Sequence, residues 1–178
     1  MRNNLTKEEY ITRIGAFSAV ITLVDGKLNQ ELSKIPSHIS VVDKSEKNAE
    51  ELLEKKLKYK LEPDSHEQSD IGVVLTCKRG IVEEPLRFCH ITSTQQAGTK
   101  NKKINNTYVV EPNAHLCIVE EFWGAQTKKA HYASTWIIEP NAKLEKYTLG
   151  DFSGESSESK HIQNNTVLQY KNSYSLFY

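Results

Sequence analysis

The chain has 178 residues and 23 basic and 23 acidic side chains, so its formal net charge is zero. This length allows one domain, or a small cap joined to one domain, with a buried core. Without an excess of Lys and Arg, the composition does not favour binding to nucleic acid or anionic lipid. The longest apolar stretch, Gly15 to Val24, is about half the roughly 20 residues that a transmembrane helix needs.

The N-terminus and the cysteines favour a cytoplasmic protein. Residues 1–10 contain acids and lead to no small-residue cleavage site, unlike a secretory signal. Cys77, Cys89 and Cys117 have no CxxC spacing and are too few for a disulfide framework. This cysteine usage fits a reducing compartment.

Residues 1–62 are predicted to form a small α+β unit. It contains strand candidates at Phe17 to Val24 and Ile39 to Val42, the first followed by the turn signal Asp25-Gly26. Between Lys44 and Leu61 helix-forming residues dominate, and Ser45 is the expected N-cap of this helix.

Residues 63–70 are polar and turn-rich, and we predict that they link the α+β unit to a β-rich region at 71–178. In this region the helical signal disappears and short β-prone runs alternate with polar loops. The predicted strands are Gly72 to Cys77, Leu86 to Thr92, Tyr108 to Val110, His115 to Glu120, Thr135 to Ile138, Lys143 to Leu149 and Thr166 to Tyr170.

A repeated phrase organises the β-rich region. The sequence TYVVEPNAHLC starts at Thr107, and TWIIEPNAKLE starts 28 positions later at Thr135. A third, weaker copy starts 31 positions further on, at Thr166, and keeps Asn172. A period of about 30 residues is typical of stacked repeats, in which each copy buries its apolar face against its neighbours.

The Glu-Pro-Asn-Ala part of each phrase is predicted to form a corner, because Pro removes a backbone donor and Asn tolerates a left-handed backbone. After the corner, the period of two along a strand places Ala114, Leu116 and Ile118 on one face, which we expect to point inward. Successive copies would then pair as parallel strands. The predicted fold is mainly β, a parallel β-helix (solenoid).

The residues that could carry chemistry do not assemble into a recognisable site. His115 and Cys117 share a strand face and could present two metal ligands, whereas Cys89 and His90 are adjacent and point to opposite faces. Because two ligands do not make a site, we interpret Cys117 as a half-buried structural residue and His115 as a surface one. His131 and His161 are interpreted as loop residues, and the adjacent acids Glu83-Glu84 and Glu120-Glu121 are expected to point to opposite faces of a strand. Trp123 and Trp136 are interpreted as core or capping aromatics. Lys55 to Lys60 are interpreted as a solvated helix face.

Three segments together resemble the SufB/SufD family of iron–sulfur cluster assembly proteins. They are VDGKLNQELSKIP (Val24 to Pro36), DIGVVLTCKRGIVEEPLRFCHIT (Asp70 to Thr92) and NNTYVVEPNAHLCIVEEFWG (Asn105 to Gly124), the last with its echo TWIIEPNAKLEKYTLG. The resemblance extends from about residue 20 to Tyr178. It implies a right-handed parallel β-helix preceded by a small N-terminal domain.

The resemblance also implies a non-catalytic scaffold that pairs with a SufB-like protein. In that family the SufB and SufD subunits both bind SufC, an ATPase of the ABC type. Because the sequence stops at Tyr178 within the β-rich region, we expect the family's C-terminal helical domain, which binds SufC, to be missing. Consequently no catalytic, cofactor-binding or metal-binding residue is carried over, and we expect no cofactor on this chain alone.

We also expect an open strand edge near Tyr170 to Tyr178 that pairs with a second polypeptide or lowers solubility. The alternative hypothesis is a truncated β-helix interaction protein with no role in cluster assembly.

Overall fold

The computed structural model describes residues 12, 15–56, 71–80, 84–92, 102–124, 129–150 and 160–178, and these form a mainly β protein. Its one described helix of several turns is α1 (Lys47–Lys56). The strands are β1 (Val20–Val24), β2 (Lys27–Leu28), β3 (Ile39–Asp43), β4 (Val73–Cys77), β5 (Leu86–Thr92), β6 (Lys102–Val110), β7 (His115–Gly124), β8 (Lys129–Ile138), β9 (Lys143–Gly150), β10 (Lys160–Gln169) and β11 (Tyr174–Phe177).

The strands form two sheets, and from β4 onward the chain alternates between them. Sheet A has the order β11-β9-β7-β5-β1-β2, and sheet B has the order β10-β8-β6-β4-β3. All strand pairs are parallel except β1 with β2 and β3 with β4. From β4 onward, parallel neighbours come from chain segments about 30 residues apart, so each sheet grows by one strand with every repeat of the sequence.

The first part of the chain supplies one end of both sheets. Asp25 and Gly26, with φ of 53° and 84°, form the predicted turn that leads from β1 into β2. The helix begins at Lys47, two residues after the expected N-cap Ser45, so Glu46 directly precedes it. Ala49 is fully buried on its inner side. The predicted end of this helix and the linker at 63–70 lie outside the described residues, as does most of the lysine-rich face.

The duplicated phrases lie side by side in a single register. In sheet B, Thr107 pairs with Thr135 and Thr135 with Thr166; in sheet A, His115 pairs with Lys143. These pairs reproduce the sequence offsets of 28 and 31 residues. The predicted parallel pairing of successive copies is therefore confirmed.

The turns from β6 to β7, from β8 to β9 and from β10 to β11 each occur at an asparagine. Asn113, Asn141 and Asn172 have φ of 62°, 60° and 58°, as the Glu-Pro-Asn-Ala pattern predicted. The corners are bonded to each other along the stack: the amide of Asn113 donates to the carbonyl of Pro140, and that of Asn141 to the carbonyl of Lys171, both at 3.2 Å. The left-handed residue therefore lets the backbone turn without interrupting the hydrogen bonds between repeats.

The main core lies between the two sheets, and the predicted inward residues are in it. Ala114, Leu116 and Ile118 are at most 2% exposed. The alternation is not complete on the other face, because Val119 is also buried, at 7% exposure. A second, smaller cluster forms on the opposite face of sheet A, where Phe17, Ile91 and Trp123 pack against Val20 and Cys89.

The strands are longer than the sequence predicted. β6 begins at Lys102 and β10 at Lys160, in segments interpreted as polar loops, and β8 begins six residues before Thr135. Asn105 and Asn106 are buried in β6, and Asn106 Oδ1 accepts a hydrogen bond from the backbone amide of Val73 at 3.1 Å. Parallel pairing thus extends into polar sequence, because strand propensity depends on the neighbouring strand more than on the residue itself. Within the described part of the chain, no helix is long and apolar enough to cross a membrane.

We expect Asn141→Ala to lower the free energy of unfolding by roughly 1–2 kcal/mol, because an alanine Cβ is strained at positive φ. Asn141→Gly is the matched control, since glycine adopts this backbone without strain. Urea unfolding measures both variants. Equal destabilisation by Ala and Gly would show that the asparagine side chain, and not its backbone conformation, matters at the corner.

Candidate functional site

A carboxylate lies inside the core, on the face of β7 that the apolar residues also occupy. Counting in steps of two from Ala114 leads through Leu116 and Ile118 to Glu120, so the inward row of β7 ends its apolar run with an acid. Glu120 is 1% exposed. A buried ionised carboxylate is costly unless it is paired and hydrogen-bonded, so its partners decide what this position can do.

Glu120 is contacted by side chains from four other strands. His90 Nε2 on β5 lies 2.9 Å from Oε1, and the hydroxyl of Tyr108 on β6 donates to the same oxygen at 3.1 Å. Lys146 Nζ on β9 lies 2.7 Å from Oε2, and Gln163 Nε2 on β10 donates to that oxygen at 2.8 Å. Both carboxylate oxygens therefore have two donors each, and the group joins the two sheets. We call these five residues the Glu120 network.

Aromatic rings enclose one side of the network. The rings of Tyr108 and Trp136 stack with centroids 3.9 Å apart and planes 4° apart, and Trp136 is fully buried. Lys146 Nζ lies 5.4 Å from the centroid of the Trp136 ring, and Phe177 meets that ring edge-on. The ammonium is thus held between a carboxylate and an indole face, both of which favour the cation.

His90 is enclosed by a second group of rings. Its imidazole stacks on Phe122 at 4.6 Å, with Phe88 and Tyr132 in tilted and edge contacts at 5.1 Å each. Its Nδ1 is buried and has no hydrogen-bond partner among the described residues. The histidine therefore interacts with polar groups only through Nε2.

The pKa of Glu120 reflects opposing effects. Burial raises it, but the hydrogen bond and charge of His90 and the charge and hydrogen bond of Lys146 outweigh burial and lower the pKa to about 2. Glu120 is thus ionised at neutral pH and only accepts hydrogen bonds, so His90 Nε2 carries the proton in their shared bond. The pKa of Tyr108 is raised well above its ordinary value, first by burial and then by the charge of Glu120 and its hydrogen bond.

This arrangement fixes charges and does not expose a reactive group. Glu120, Lys146, Tyr108 and His90 are all at most 2% exposed, and only Gln163 reaches partial exposure. A nucleophile or general base must reach its substrate, and these side chains are buried against one another. The network is suited to binding the strands together. In the described part of the chain, no group of three or more His, Cys, Asp or Glu side chains is arranged to hold a metal ion.

The three cysteines are held as thiols. Burial, followed by the charge of Glu111, raises the pKa of Cys77 to about 11, and burial with the charge of Glu121 raises that of Cys89 to about 12, despite the opposing effect of Arg87. The pKa of Cys117 is also raised, mainly by burial. Because the thiolate is the nucleophile and the metal ligand, this environment disfavours both roles.

His115 and Cys117 lie where the sequence interpretation placed them. His115 is exposed and its Nε2 lies 3.5 Å from Glu145 Oε1, while Cys117 is half-buried on the same face of β7. Cys89 and His90 point to opposite faces of sheet A, as predicted: Cys89 joins the outer cluster and His90 the Glu120 network.

The other singled-out residues separate in the same way. Glu120 points into the core, whereas Glu121 forms an ion pair with Arg87 at 2.7 Å, so the adjacent acids do not act together. Glu84 accepts a hydrogen bond from the Ser18 hydroxyl. Trp136 is a core residue, as predicted, and Trp123 is partly buried against the outer cluster. His131 and His161 were predicted in loops, but they lie on β8 and β10, and His131 Nε2 is 3.3 Å from Asn164 Nδ2. Glu83 lies outside the described residues.

Sequence interpretation missed the Glu120 network, although the signal was present. Steps of two from Ala114 reach Glu120, and the same steps from Ala142 reach Lys146 through Leu144. Two aligned copies therefore place opposite charges on the inward face. The pairing with His90 and Gln163 had no such signal, because it depends on the register between copies.

Comparison of the chain with family models and with curated proteins finds no match in either.

We expect Glu120→Gln to destabilise the protein by about 3 kcal/mol or more, because it leaves Lys146 buried without its counter-ion. The control is Glu121→Gln, which removes an ion pair whose other partner, Arg87, is partly exposed to solvent, and it should cost no more than about 1 kcal/mol. Urea unfolding at pH 7 gives both values. Equal losses for the two variants would show that the buried pair contributes no more than the outer one.

The stability of the protein should fall in acid because of Glu120. Its pKa is about 2 in the folded protein and 4.5 ordinarily, so the stabilising contribution is fully present above about pH 5 and decreases as the pH falls toward 2. Glu120→Gln lacks this group and should have a shallower pH dependence over that window. Free energies of unfolding measured from pH 7 to pH 2 test this, and parallel curves for the two proteins would contradict it.

Proposed function

We propose that this chain is a SufD-like, non-catalytic scaffold component of the SUF iron–sulfur cluster assembly machinery. The proposal includes a right-handed parallel β-helix preceded by an α+β cap at residues 1–62, a cytoplasmic location, and no cofactor bound by this chain alone. The observation that carries it is the pairing of the two Glu-Pro-Asn-Ala phrases, in which Thr107 lies beside Thr135 and His115 beside Lys143 in parallel register. A stack of this kind is the architecture that the sequence resemblance implies.

The chemistry of the described residues also supports a scaffold. The cysteine thiols have raised pKa values, and the buried charges of Glu120 and Lys146 are paired with each other. Two sheets tied through their centre give a rigid body on which partner proteins can be held at a fixed spacing. In this proposal the chain positions its partners and leaves cluster chemistry to them.

The partner we propose is a SufB-like protein, bound at the edge strands β10 and β11. Among the described residues each of these strands has one neighbour, β8 and β9 respectively, so each leaves backbone groups free for another strand. Apolar side chains are exposed at this edge, including Val167 at 39%, Tyr174 at 48% and Tyr178 at 64%. Strand addition would pair the free backbone groups and cover these side chains.

Co-expression of the tagged chain with SufB-like and SufC-like proteins tests this function. We expect a stable complex with the SufB-like protein, and Tyr174→Lys should weaken it at least tenfold because a charge at an edge strand opposes pairing. Leu149→Lys is the matched control, since Leu149 is 53% exposed but lies on β9, outside the proposed edge strands.

Each other outcome of this experiment contradicts part of the proposal. Capture of neither SufB-like nor SufC-like protein by the folded chain would contradict a role in cluster assembly and favour the alternative, a β-helix interaction protein. Equal weakening by Tyr174→Lys and Leu149→Lys would reject the edge strands as the contact. Capture of the SufC-like ATPase without the SufB-like protein would reject the proposed partner.

A further inference from the structure

The repeated phrases create an ambiguity that the backbone cannot resolve. Ala114 and Ala142 occupy equivalent inward positions, as do Leu116 and Leu144, and both copies make the same asparagine corner. Hydrogen bonds between parallel strands do not depend on side-chain identity. The residues that the copies share lie just before the ladder of β5 with β7, which begins at Ile118. A pairing of β5 with β9, displaced by one whole repeat, keeps the backbone hydrogen bonds of this ladder, so only the side chains distinguish the two registers.

The copies differ at the next two inward positions. In the native register Leu86 of β5 lies beside Ile118, and Phe88 lies beside Glu120. In the displaced register, Lys146 would take the place of Ile118 and Thr148 that of Glu120, as the pairs of β7 with β9 show. The ammonium of Lys146 would then lie in the core without the carboxylate, and His90 would lose its partner.

We propose that the Glu120 network is a register lock, which selects the pairing of β5 with β7 and β7 with β9 over the pairing displaced by one repeat. The lock acts through charge, because only the native order places one buried carboxylate within reach of the one buried lysine of the described core. It also spans both sheets, since Tyr108 and Gln163 contact the same carboxylate from sheet B. Displacement of any of the five strands that carry the network removes at least one of its contacts.

Disulfide traps measure the register. In a background with Cys77, Cys89 and Cys117 replaced by Ala, the pair Val119→Cys and Tyr147→Cys reports the native register, in which these residues are neighbours. The pair Arg87→Cys and Tyr147→Cys reports the displaced one, because Arg87 is the neighbour of Val119 on β5. Natively these two positions are two strand spacings, or about 10 Å, apart, which is beyond the reach of a disulfide.

The test compares Lys146→Met with Lys143→Met during refolding under oxidising conditions. Lys146→Met removes the cost of burying an ammonium in the displaced register, so we expect at least a tenfold increase in the displaced disulfide. Lys143→Met changes an exposed residue on the same strand and should give no increase. A displaced disulfide that stays at the control level in Lys146→Met would overturn the proposal.

A second variant decides the question if Lys146→Met does not fold. It replaces the four fully buried members of the network by apolar side chains of similar size and keeps Gln163; its substitutions are His90→Phe, Tyr108→Phe, Glu120→Met and Lys146→Met. Such replacement of buried charges often preserves stability. We expect it to form both disulfides and to give more than one set of backbone amide NMR signals. A single set of signals with only the native disulfide would reject the lock.

Discussion

The structure depends on the constant register between successive parallel strands. Because the last three corners from sheet B to sheet A turn at equivalent asparagines, a residue in one of these repeats lies directly beside its counterpart in the next, as Thr107, Thr135 and Thr166 do. The inward positions therefore form columns that run along the stack. A side chain at one inward position must be compatible with the side chains before and after it in the column. Whether a buried charge finds its partners therefore depends on several repeats.

The Glu120 network shows how this constraint is met. Lys146 and Glu120 lie on neighbouring strands of sheet A, one inward position apart, so their side chains meet at 2.7 Å. Removing one partner of a buried pair costs several kcal/mol, whereas apolar replacement of both is often neutral. Since net stability gives little reason to retain such a pair, its physical value lies in excluding alternative arrangements of the chain.

Much of the fold could be predicted from the sequence because it rests on local rules. The turn at Asp25-Gly26, the left-handed asparagines and the inward row from Ala114 to Ile118 follow from backbone conformation and from the period of two along a strand. The extent of β6 and β10 could not be predicted, because polar residues such as Asn106 are stabilised there by groups 30 or more positions away. The site was missed for the same reason: Glu120 has a local signal, but its donors come from other repeats.

Polar residues of β10 continue the inward columns of the preceding repeat. In register, Gln163 follows Tyr132, Asn165 follows Ser134 and Gln169 follows Ile138, so amides continue columns that hold a ring, a hydroxyl and an aliphatic group. Gln163 is half-buried, whereas Asn165 and Gln169 are exposed. Two of these amides satisfy buried groups of the strands before them: Gln163 donates to Glu120 at 2.8 Å, and Asn165 Oδ1 accepts from Trp136 Nε1 at 3.2 Å. The third bonds within its own repeat, where Gln169 accepts from the Ser175 hydroxyl and donates to the carbonyl of Ser173.

An apolar strand in this position would leave the indole N–H and one carboxylate oxygen with fewer hydrogen-bond partners in a low-dielectric core, where an unpaired polar group is costly. The polar character of β10 is thus a consequence of the charge at Glu120 and the indole at Trp136. A side chain that replaces Gln163 or Asn165 must therefore also donate to the carboxylate or accept from the indole N–H, respectively.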